Sequence, residues 1–314
     1  MNEKISEKEL HFRRIEEKER MIFYNYAFES TRGFADSLGI SFEFLEKFCR
    51  INRLLFGLPA KIFMRNTKDY FGMLNDVIVS GYSLVFQNKE NQYILGNVFT
   101  RPEFQRRGIG NAIMKKVLEE TNGQKIILDV NSKNTPAISL YRKFGFKEVS
   151  TTKEFLIDLP FNPKHLPVGY STRLMTKEDL KKLNDFEKKI PNLKDLKKSY
   201  KKSLDKKESK RFRINFQLPI ILEQNDKFAG VGRALWSKGT PTTAQIFMTA
   251  ILPECKEAYP GFLGTLSSEL EKYGIKKIVW DTNEKTKPFE DQILPYLGEP
   301  ARIALRMEIN GETK

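Results

Sequence analysis

Short apolar runs alternate along this chain with segments in which apolar residues recur every three or four positions. The first kind predicts strands and the second amphipathic helices. Residues 9–15 predict an edge strand, followed by helices over 16–29 and 41–56. In the second helix Phe44, Leu45, Phe48, Ile51, Leu54 and Leu55 share a face. Strands at 70–74, 77–86 and 93–99 come next, the last two joined by a polar turn at 88–91. A helix then starts near Ile109 and carries Ala112, Ile113 and Val117. Residues 125–131 read as a buried strand. Asn134 or Thr135 caps another helix, with Pro136 in its first turn, and Gly145 ends it. Ala137, Leu140, Tyr141 and Phe144 form its apolar side, and a strand follows at 146–149.

Residues 159–169 hold three prolines, Pro160, Pro163 and Pro167. Proline restricts its own backbone and that of the residue before it, so this segment predicts an ordered linker and a domain boundary. Beyond it the order of elements begins again. A strand at 170–175 leads into Thr176-Lys177-Glu178-Asp179, close to a capping box. One helix follows with Leu180, Leu183 and Phe186 on a face, and a basic one with Leu193, Leu196, Tyr200 and Leu204. Strands at 212–223, 228–236 and 244–251, a helix at 262–273, a strand at 276–281, a short helix at 289–297 and a strand at 302–309 complete the chain. Residues 125–131 and 276–283 even echo each other in sequence. A tandem repeat of one α/β fold with a mixed sheet is expected, with domains at 1–158 and 170–314.

Between the strand at 93–99 and its helix lies Gln105-Arg106-Arg107-Gly108-Ile109-Gly110. A glycine turn in this place aims several backbone N–H groups at one spot, with the positive end of a helix dipole behind them. Gly108 and Gly110 lack a Cβ and let a ligand come close. Arg106 and Arg107 add positive charge. The turn suits a phosphate or pyrophosphate. It is not a P-loop, because no Gly-Lys-Ser/Thr follows. It is not a dinucleotide fingerprint, because Ile113 stands where a third glycine belongs. Alone, Gly-x-Gly is a weak signal, and a plain strand–helix turn competes with it.

A second motif follows: Asn134, Ala137, Leu140, Tyr141, Gly145 and Phe146 in the pattern Asn-x-x-Ala-x-x-Leu-Tyr-x-x-x-Gly-Phe. With the turn at Gln105 to Gly110, in the same order and on the same elements, this stretch resembles the GCN5-related N-acetyltransferase (GNAT) superfamily. The resemblance is specific over about residues 70–150 and looser over 1–70. It implies transfer of an acetyl group from acetyl-CoA to an amine of a small molecule, peptide or protein. The amine attacks the thioester directly, so no protein nucleophile is required, in keeping with the lack of a Ser/His/Asp or Cys/His arrangement.

The resemblance also implies roles for single residues. Gln105, Arg106, Arg107, Gly108, Ile109, Gly110 and Asn111 would hold the pyrophosphate. Val98, Phe99 and Thr100 would offer backbone groups to the pantetheine arm and thioester. Asn134 would contact the cofactor, and Tyr141 would protonate the departing thiolate. Plainer readings stand beside these: ladder residues at 98–100, an N-cap at Asn134 and a packed core tyrosine at Tyr141. No general base is evident. Residues 91–100 hold no Glu, Asp or His, and Glu103 lies beyond the strand. A water wire through Asn97, Tyr82 or Tyr93 has no support in the sequence. His11 and His165 are isolated.

The second copy differs where the chemistry would be. Residues 253–264 lack the arginine pair, gain Glu254, Glu257 and Pro260, and space their glycines farther apart. Carboxylates there repel a pyrophosphate. Pro295 interrupts the counterpart of the tyrosine helix. A degenerate copy that does not bind the cofactor in the usual way is expected.

Composition narrows the remaining classes. Cys49 and Cys255 are far apart and have no metal-ligand spacing, so neither a disulfide framework nor a metal site is expected. No signal peptide and no run of about 18 apolar residues occurs, which predicts a cytoplasmic protein that does not enter membranes. Of the net charge of +14, most sits at 181–213, where fourteen Lys/Arg meet five acids. Such a run is usually a solvated helix face. It leaves nucleic acid as an alternative partner, and the missing base leaves a non-catalytic acyl-CoA-binding regulator as an alternative function.

Overall fold

The computed structural model describes residues 9–37, 66–190, 196–204, 215–237, 241–282 and 287–310. The helix predicted at 41–56 and Leu193 lie outside the described residues. Contacts divide the chain into two units, each built on a mixed sheet.

In the first unit β1 (Leu10–Arg14) precedes a 3-10 turn at Glu17–Glu19 and α1 (Arg20–Ser37). Then come β2 (Thr67–Leu74), β3 (Val77–Gln87), β4 (Gln92–Thr100), α2 (Ile109–Thr121), β5 (Ile126–Asn131) and α3 (Thr135–Lys143). β2 and β3 turn on Asn75 and Asp76, at φ of 48° and 64°. Two consecutive positive-φ residues make the hairpin turn whose twist suits the strands, and Asn and Asp tolerate it. Alternation along the strands separates two faces. Tyr70, Tyr82, Leu84, Ile126 and Leu128 meet Ile113, Met114 and Val117 of α2 and Ile138 of α3. On the other face Phe71, Met73 and Phe99 meet Phe23 and Ala27 of α1.

The second unit repeats this order. It contains β7 (Tyr170–Leu174), a 3-10 turn at Glu178–Lys181, α4 (Leu183–Lys189), α5 (Leu196–Leu204), β8 (Asn215–Gln224), β9 (Lys227–Ser237), β10 (Thr243–Ile251), α6 (Tyr259–Glu271) and β11 (Lys277–Asp281). β8 and β9 turn on Asn225 and Asp226, with φ of 48° and 61°, the same hairpin as in the first unit. Both sheets are antiparallel except for one parallel pair, β4 with β5 and β10 with β11. The helix expected at 289–297 breaks into three short pieces, Lys287–Phe289, Glu290–Ile293 and Leu294–Tyr296, where Pro295 cannot continue an α-helix.

The units do not end where the linker suggests. β6 (Lys147–Asp158) crosses from one to the other: from Thr152 it belongs to the second unit and pairs with β11. The C-terminal strand β12 (Arg302–Ile309) belongs from Ile303 to the first unit and pairs with β5. Strand order is therefore β1-β2-β3-β4-β5-β12 in the first unit and β7-β8-β9-β10-β11-β6 in the second. Each sheet takes its sixth strand from the other half of the sequence. A strand's own pattern shows which face is buried, but not which neighbour completes the ladder. Arg306 fixes the pairing of β12 with two 2.9 Å bonds to Asp129, and Lys125 reaches Glu308 at 2.6 Å.

The linker packs on the second unit, where Leu159, Phe161 and Leu166 cover the core. The basic helix α5 buries Leu196 and Tyr200, leaves Lys198 and Lys201 exposed, and has Arg233 5.0 Å above the Tyr200 ring.

An ion cluster holds the entrance of the second unit. Asp179, buried, accepts from Arg173 Nη1 and Nη2 at 2.8 Å each and from the backbone N–H of Thr176 at 2.8 Å. Arg173 also donates to Glu223. The Arg173 guanidinium lowers the Asp179 carboxyl to about 2. A carboxylate with a depressed folded pKa stabilises the fold above its unfolded value, near 3.9, and loses that contribution as pH falls towards 2. Asp179→Asn is expected to cost about 1–3 kcal/mol at pH 7. The difference from wild type should shrink between pH 4 and pH 2, read from urea unfolding midpoints across that range.

Candidate active site

The site begins where β4 and β5 stop pairing. Their parallel ladder holds Tyr93 against Ile126 and Ile94 against Ile127 and goes no farther, although β4 runs on to Thr100 and β5 to Asn131. β4 stays paired to β3 up to Thr100, and β5 to β12. Val98, Phe99 and Thr100 thus lie on a strand that has parted from its parallel neighbour. β4 also carries a bulge. Gly81 faces Phe99 and Ser83 faces Gly96, so Asn97 and Val98 together oppose Tyr82. Asn97 takes φ of 50° there and is exposed. A bulge re-aims side chains and backbone groups, and such bulges are common beside active sites.

Past Thr100 the chain makes a 3-10 turn, Pro102–Phe104, and enters the glycine turn. Gln105 folds back, its Nε2 donating to the Thr100 carbonyl at 3.1 Å. Arg101 donates to the Ile78 carbonyl at 2.8 Å, pairs with Glu103, and stacks over Tyr26 and Phe104. Glu103 is therefore engaged with Arg101. Arg107 lies 5.6 Å from the Phe104 ring, and its Nε is buried without a hydrogen-bond partner.

Gly108 is the N-cap of α2, at φ of 88°, and no side chain caps this helix. A Cβ on Gly108 would meet nothing within 4 Å, so the turn is open on that side. The first N–H groups of α2, those of Ile109 and Gly110, therefore face outward with the helix dipole behind them. Gly110 has a packing role as well: a Cβ there would stand 2.9 Å from Leu140 Cδ2, so α3 approaches α2 closely at this point. Asn111 accepts from Lys143 Nζ at 2.7 Å, which adds a second tie between the two helices.

On α3, Asn134 Oδ1 caps the helix by accepting from the Ala137 N–H at 3.3 Å. Tyr141 is 6 % exposed, sits near Phe146, and burial pushes its phenol up to about 12. Tyr82 and Tyr93, the tyrosines considered for a water wire, behave differently. Tyr82 is fully buried on the α2 side of the sheet, stacked on Tyr70. Tyr93 packs on Phe86.

Two residues that sequence reasoning passed over adjoin the bulge. Asp69 of β2 is 3 % exposed, and Ser83 of β3 donates to its Oδ1 at 2.5 Å. Asn97 Nδ2 in turn donates to Ser83 Oγ at 3.0 Å. Asp69 follows Thr67 and Lys68 at the polar start of β2, where an acid is not conspicuous in the sequence.

The second unit treats the same position differently. β10 pairs with β11 over three residues and is bulged against β9, like β4. The turn that follows is wound into a 3-10 helix, Pro253–Ala258, with Cys255 and Ala258 buried. A Cβ on Gly261 would meet the backbone of Leu166 and His165 at 2.7–2.9 Å, so the linker lies directly on the first turn of α6. Tyr170 donates to Glu257 at 2.6 Å and closes the corner.

Among the described residues no cluster of His, Cys, Asp or Glu is arranged to hold a metal ion. No described helix is long and apolar enough to cross a membrane.

The chain is similar to known proteins in sequence and in fold. The acetyltransferase (GNAT) family matches residues 42–146. An N-alpha-acetyltransferase of Saccharolobus solfataricus is 30% identical over 135 residues, covering 36% of this chain and 81% of the relative. One from Sulfurisphaera tokodaii is 40% identical over 60 residues, covering 18% of this chain; the chain spans 36% of that relative's length. Among solved structures, a tandem GNAT protein from the clavulanic acid biosynthesis pathway superposes with a TM-score of 0.64 at 16% identity, covering 96% of this chain and 98% of the other. A GCN5-related N-acetyltransferase from Sphaerobacter thermophilus gives 0.64 at 12% identity, with 96% and 95% covered. The tandem arrangement is thus a known fold, and both motifs fall within the part of the chain that matches the family. With its parted strands, open glycine turn and tyrosine helix, the chain belongs to the acetyltransferase (GNAT) family.

Proposed function

We propose that the first unit moves an acetyl group from acetyl-CoA to a primary amine by direct attack within a ternary complex. One observation carries this reading: the uncapped N-terminus of α2, open at Gly108, next to a β4 that has parted from β5. The residues suit the donor. Outward N–H groups, the helix dipole, Arg106 and Arg107 favour a pyrophosphate. Buried Arg107 Nε has a free donor for it. The inner edge of Val98 to Thr100, which β5 does not pair and where Gln105 holds only the Thr100 carbonyl, can bond an amide-bearing arm as a strand would. Asn111, held by Lys143, lies in the first turn of α2, and Asn134 is the N-cap of α3.

Tyr141 supplies the proton for the departing sulfur. A phenol near 12 stays protonated at neutral pH. Against a free thiol near 8.5 it is the weaker acid. It therefore acts first as a hydrogen-bond donor to the developing thiolate, and the proton follows only as that sulfur is desolvated in the same site. The nitrogen of the new amide gives up its proton to solvent, which returns one to Tyr141.

The second unit is proposed to be a degenerate copy that does not bind the donor. The linker on Gly261 and the carboxylates Glu254 and Glu257 support this. The matched archaeal relatives are named for N-alpha-acetylation, so α-amines lead the choice of acceptors.

Calorimetric titration with acetyl-CoA should show one site per chain. Arg107→Glu should weaken binding by about tenfold or more, and two sites would show the second unit to be competent. Transfer is assayed against an alanine-initiated octapeptide, a lysine-containing acetyl-capped peptide and spermidine. Tyr141→Phe should lower kcat about 100-fold or more while the acetyl-CoA Kd stays within threefold. Binding without transfer to any of these amines would make the protein a regulator that senses acyl-CoA.

A further inference from the structure

The sequence offers no base or amine-binding residue on β4, yet the structure brings three polar side chains into line beneath its bulge. We propose that Asp69, Ser83 and Asn97 form the acceptor-amine subsite, in which Asn97 Oδ1 accepts a hydrogen bond from the attacking amine and Ser83 and Asp69 hold it in that orientation. The proposal rests on the acetyltransferase reading of the first unit and adds to it the group that receives the amine.

The chemistry of the donors fixes the orientation. An ionised carboxylate only accepts hydrogen bonds, and a serine has one O–H to give. Ser83 gives its proton to Asp69 Oδ1 at 2.5 Å. Toward Asn97, Ser83 Oγ can then only accept, so the NH2 end of the carboxamide must face Ser83, at 3.0 Å. The carboxamide is planar, so Oδ1 points away from Ser83. Among the described residues nothing donates to it. Asn97 is exposed, while Ser83 and Asp69 are 2 % and 3 % exposed. The chain thus runs from the surface to a buried charge, at the place where β4 bulges, just after it has parted from β5. It lies on the face of the sheet that carries α1, opposite the face covered by α2 and α3.

Asp69 has two uses here. It sets the direction of both hydrogen bonds, and its negative charge favours the positive charge that builds on the amine nitrogen as it attacks. Protonating Asp69 reverses the chain. Its O–H would donate to Ser83, Ser83 could donate to Asn97 Oδ1, and the carboxamide would turn its NH2 outward against the N–H groups of the amine. Burial raises the Asp69 carboxyl above the ordinary carboxylate range, opposed by Ser83, Arg20 of α1 and Arg14 of β1 and assisted by Glu17. The chain should reverse as pH falls through that raised value.

Asn97→Gly keeps the positive φ and removes the side chain. Together with Ser83→Ala, Ser83→Thr and Asp69→Asn it is compared with wild type by acetylation of the alanine-initiated octapeptide and of spermidine, and by acetyl-CoA calorimetry. Asn97→Gly, Ser83→Ala and Asp69→Asn are expected to lose about 10- to 100-fold in kcat/KM for the amine, with acetyl-CoA Kd within twofold and Ser83→Thr near wild type. Deprotonation of an α-amine near 8 gives a slope of one in log kcat/KM against pH. In wild type the slope should steepen towards two once Asp69 protonates, and in Ser83→Ala and Asp69→Asn it should stay at one. Wild-type kcat/KM in Asn97→Gly, or a loss of acetyl-CoA affinity in step with activity in all three, overturns the subsite. A wild-type protein that binds acetyl-CoA and acetylates neither amine overturns the acetyltransferase reading itself, and the subsite with it.

Discussion

The arrangement depends on a gap in a sheet. Buried backbone N–H and C=O groups need partners, so strands that part must be satisfied elsewhere. β4 and β5 part after Ile94 and Ile127 because each keeps a full ladder on its outer side, β4 with β3 and β5 with β12. Where β4 ends, the N–H of Arg101 donates to the Val79 carbonyl at 2.9 Å and Gln105 takes up the Thr100 carbonyl. The inner edges remain for a ligand. In this frame β12 is part of the site although its sequence lies some 170 residues beyond β5. Without it β5 would have lost its long ladder, and the gap would be the frayed edge of the sheet.

Both units use this frame and treat it in opposite ways. In each, a hairpin turns on Asn-Asp, a bulge interrupts the fourth strand of the sheet order, and a short parallel ladder follows. In the first unit the fourth strand leads to a turn that is open at Gly108. In the second it leads to a 3-10 helix, and the glycine in the first turn of α6 lies against the backbone of residues 165–166. The same lack of a Cβ goes with an open turn in one case and allows chain-on-chain packing in the other. A helix buried nearly all round, as α6 is from Tyr259 to Gly264, contributes stability; a helix start left without a side-chain cap, as α2 is, forgoes some of it.

Most of the fold was legible in the sequence because its strands and helices are locally consistent: the apolar runs, the Gly145 stop and the Asn134 cap each name their own element. The turn and the tyrosine helix were legible because glycines and an asparagine at fixed spacing have a mechanical meaning. The origin of each sixth strand was not, since pairing across the two halves leaves no local mark. Gln105 shows the same limit: its side chain ties the turn to β4, a contact that spacing does not reveal. Asp69 and Ser83 escaped for a different reason. They are fourteen residues apart and meet only through strand register, so neither looks unusual alone.

That pair is also a place where the structure departs from what stability favours. Burying a carboxylate costs several kcal/mol unless charge and hydrogen bonds compensate, and Asp69 meets the Ser83 hydroxyl and the more distant fields of Arg14 and Arg20. A leucine or valine at this place in β2 would join Phe71, Met73 and Phe23 in the apolar layer beside it. Asn97 adds a second departure, a positive φ inside a strand. Two such costs, joined by one serine, lie where β4 bulges toward the gap. Packing explains neither of them. Each has a physical rationale once the carboxamide of Asn97 is required to face outward in one orientation, because a buried acceptor behind a single hydroxyl dictates which end of an amide the surface presents.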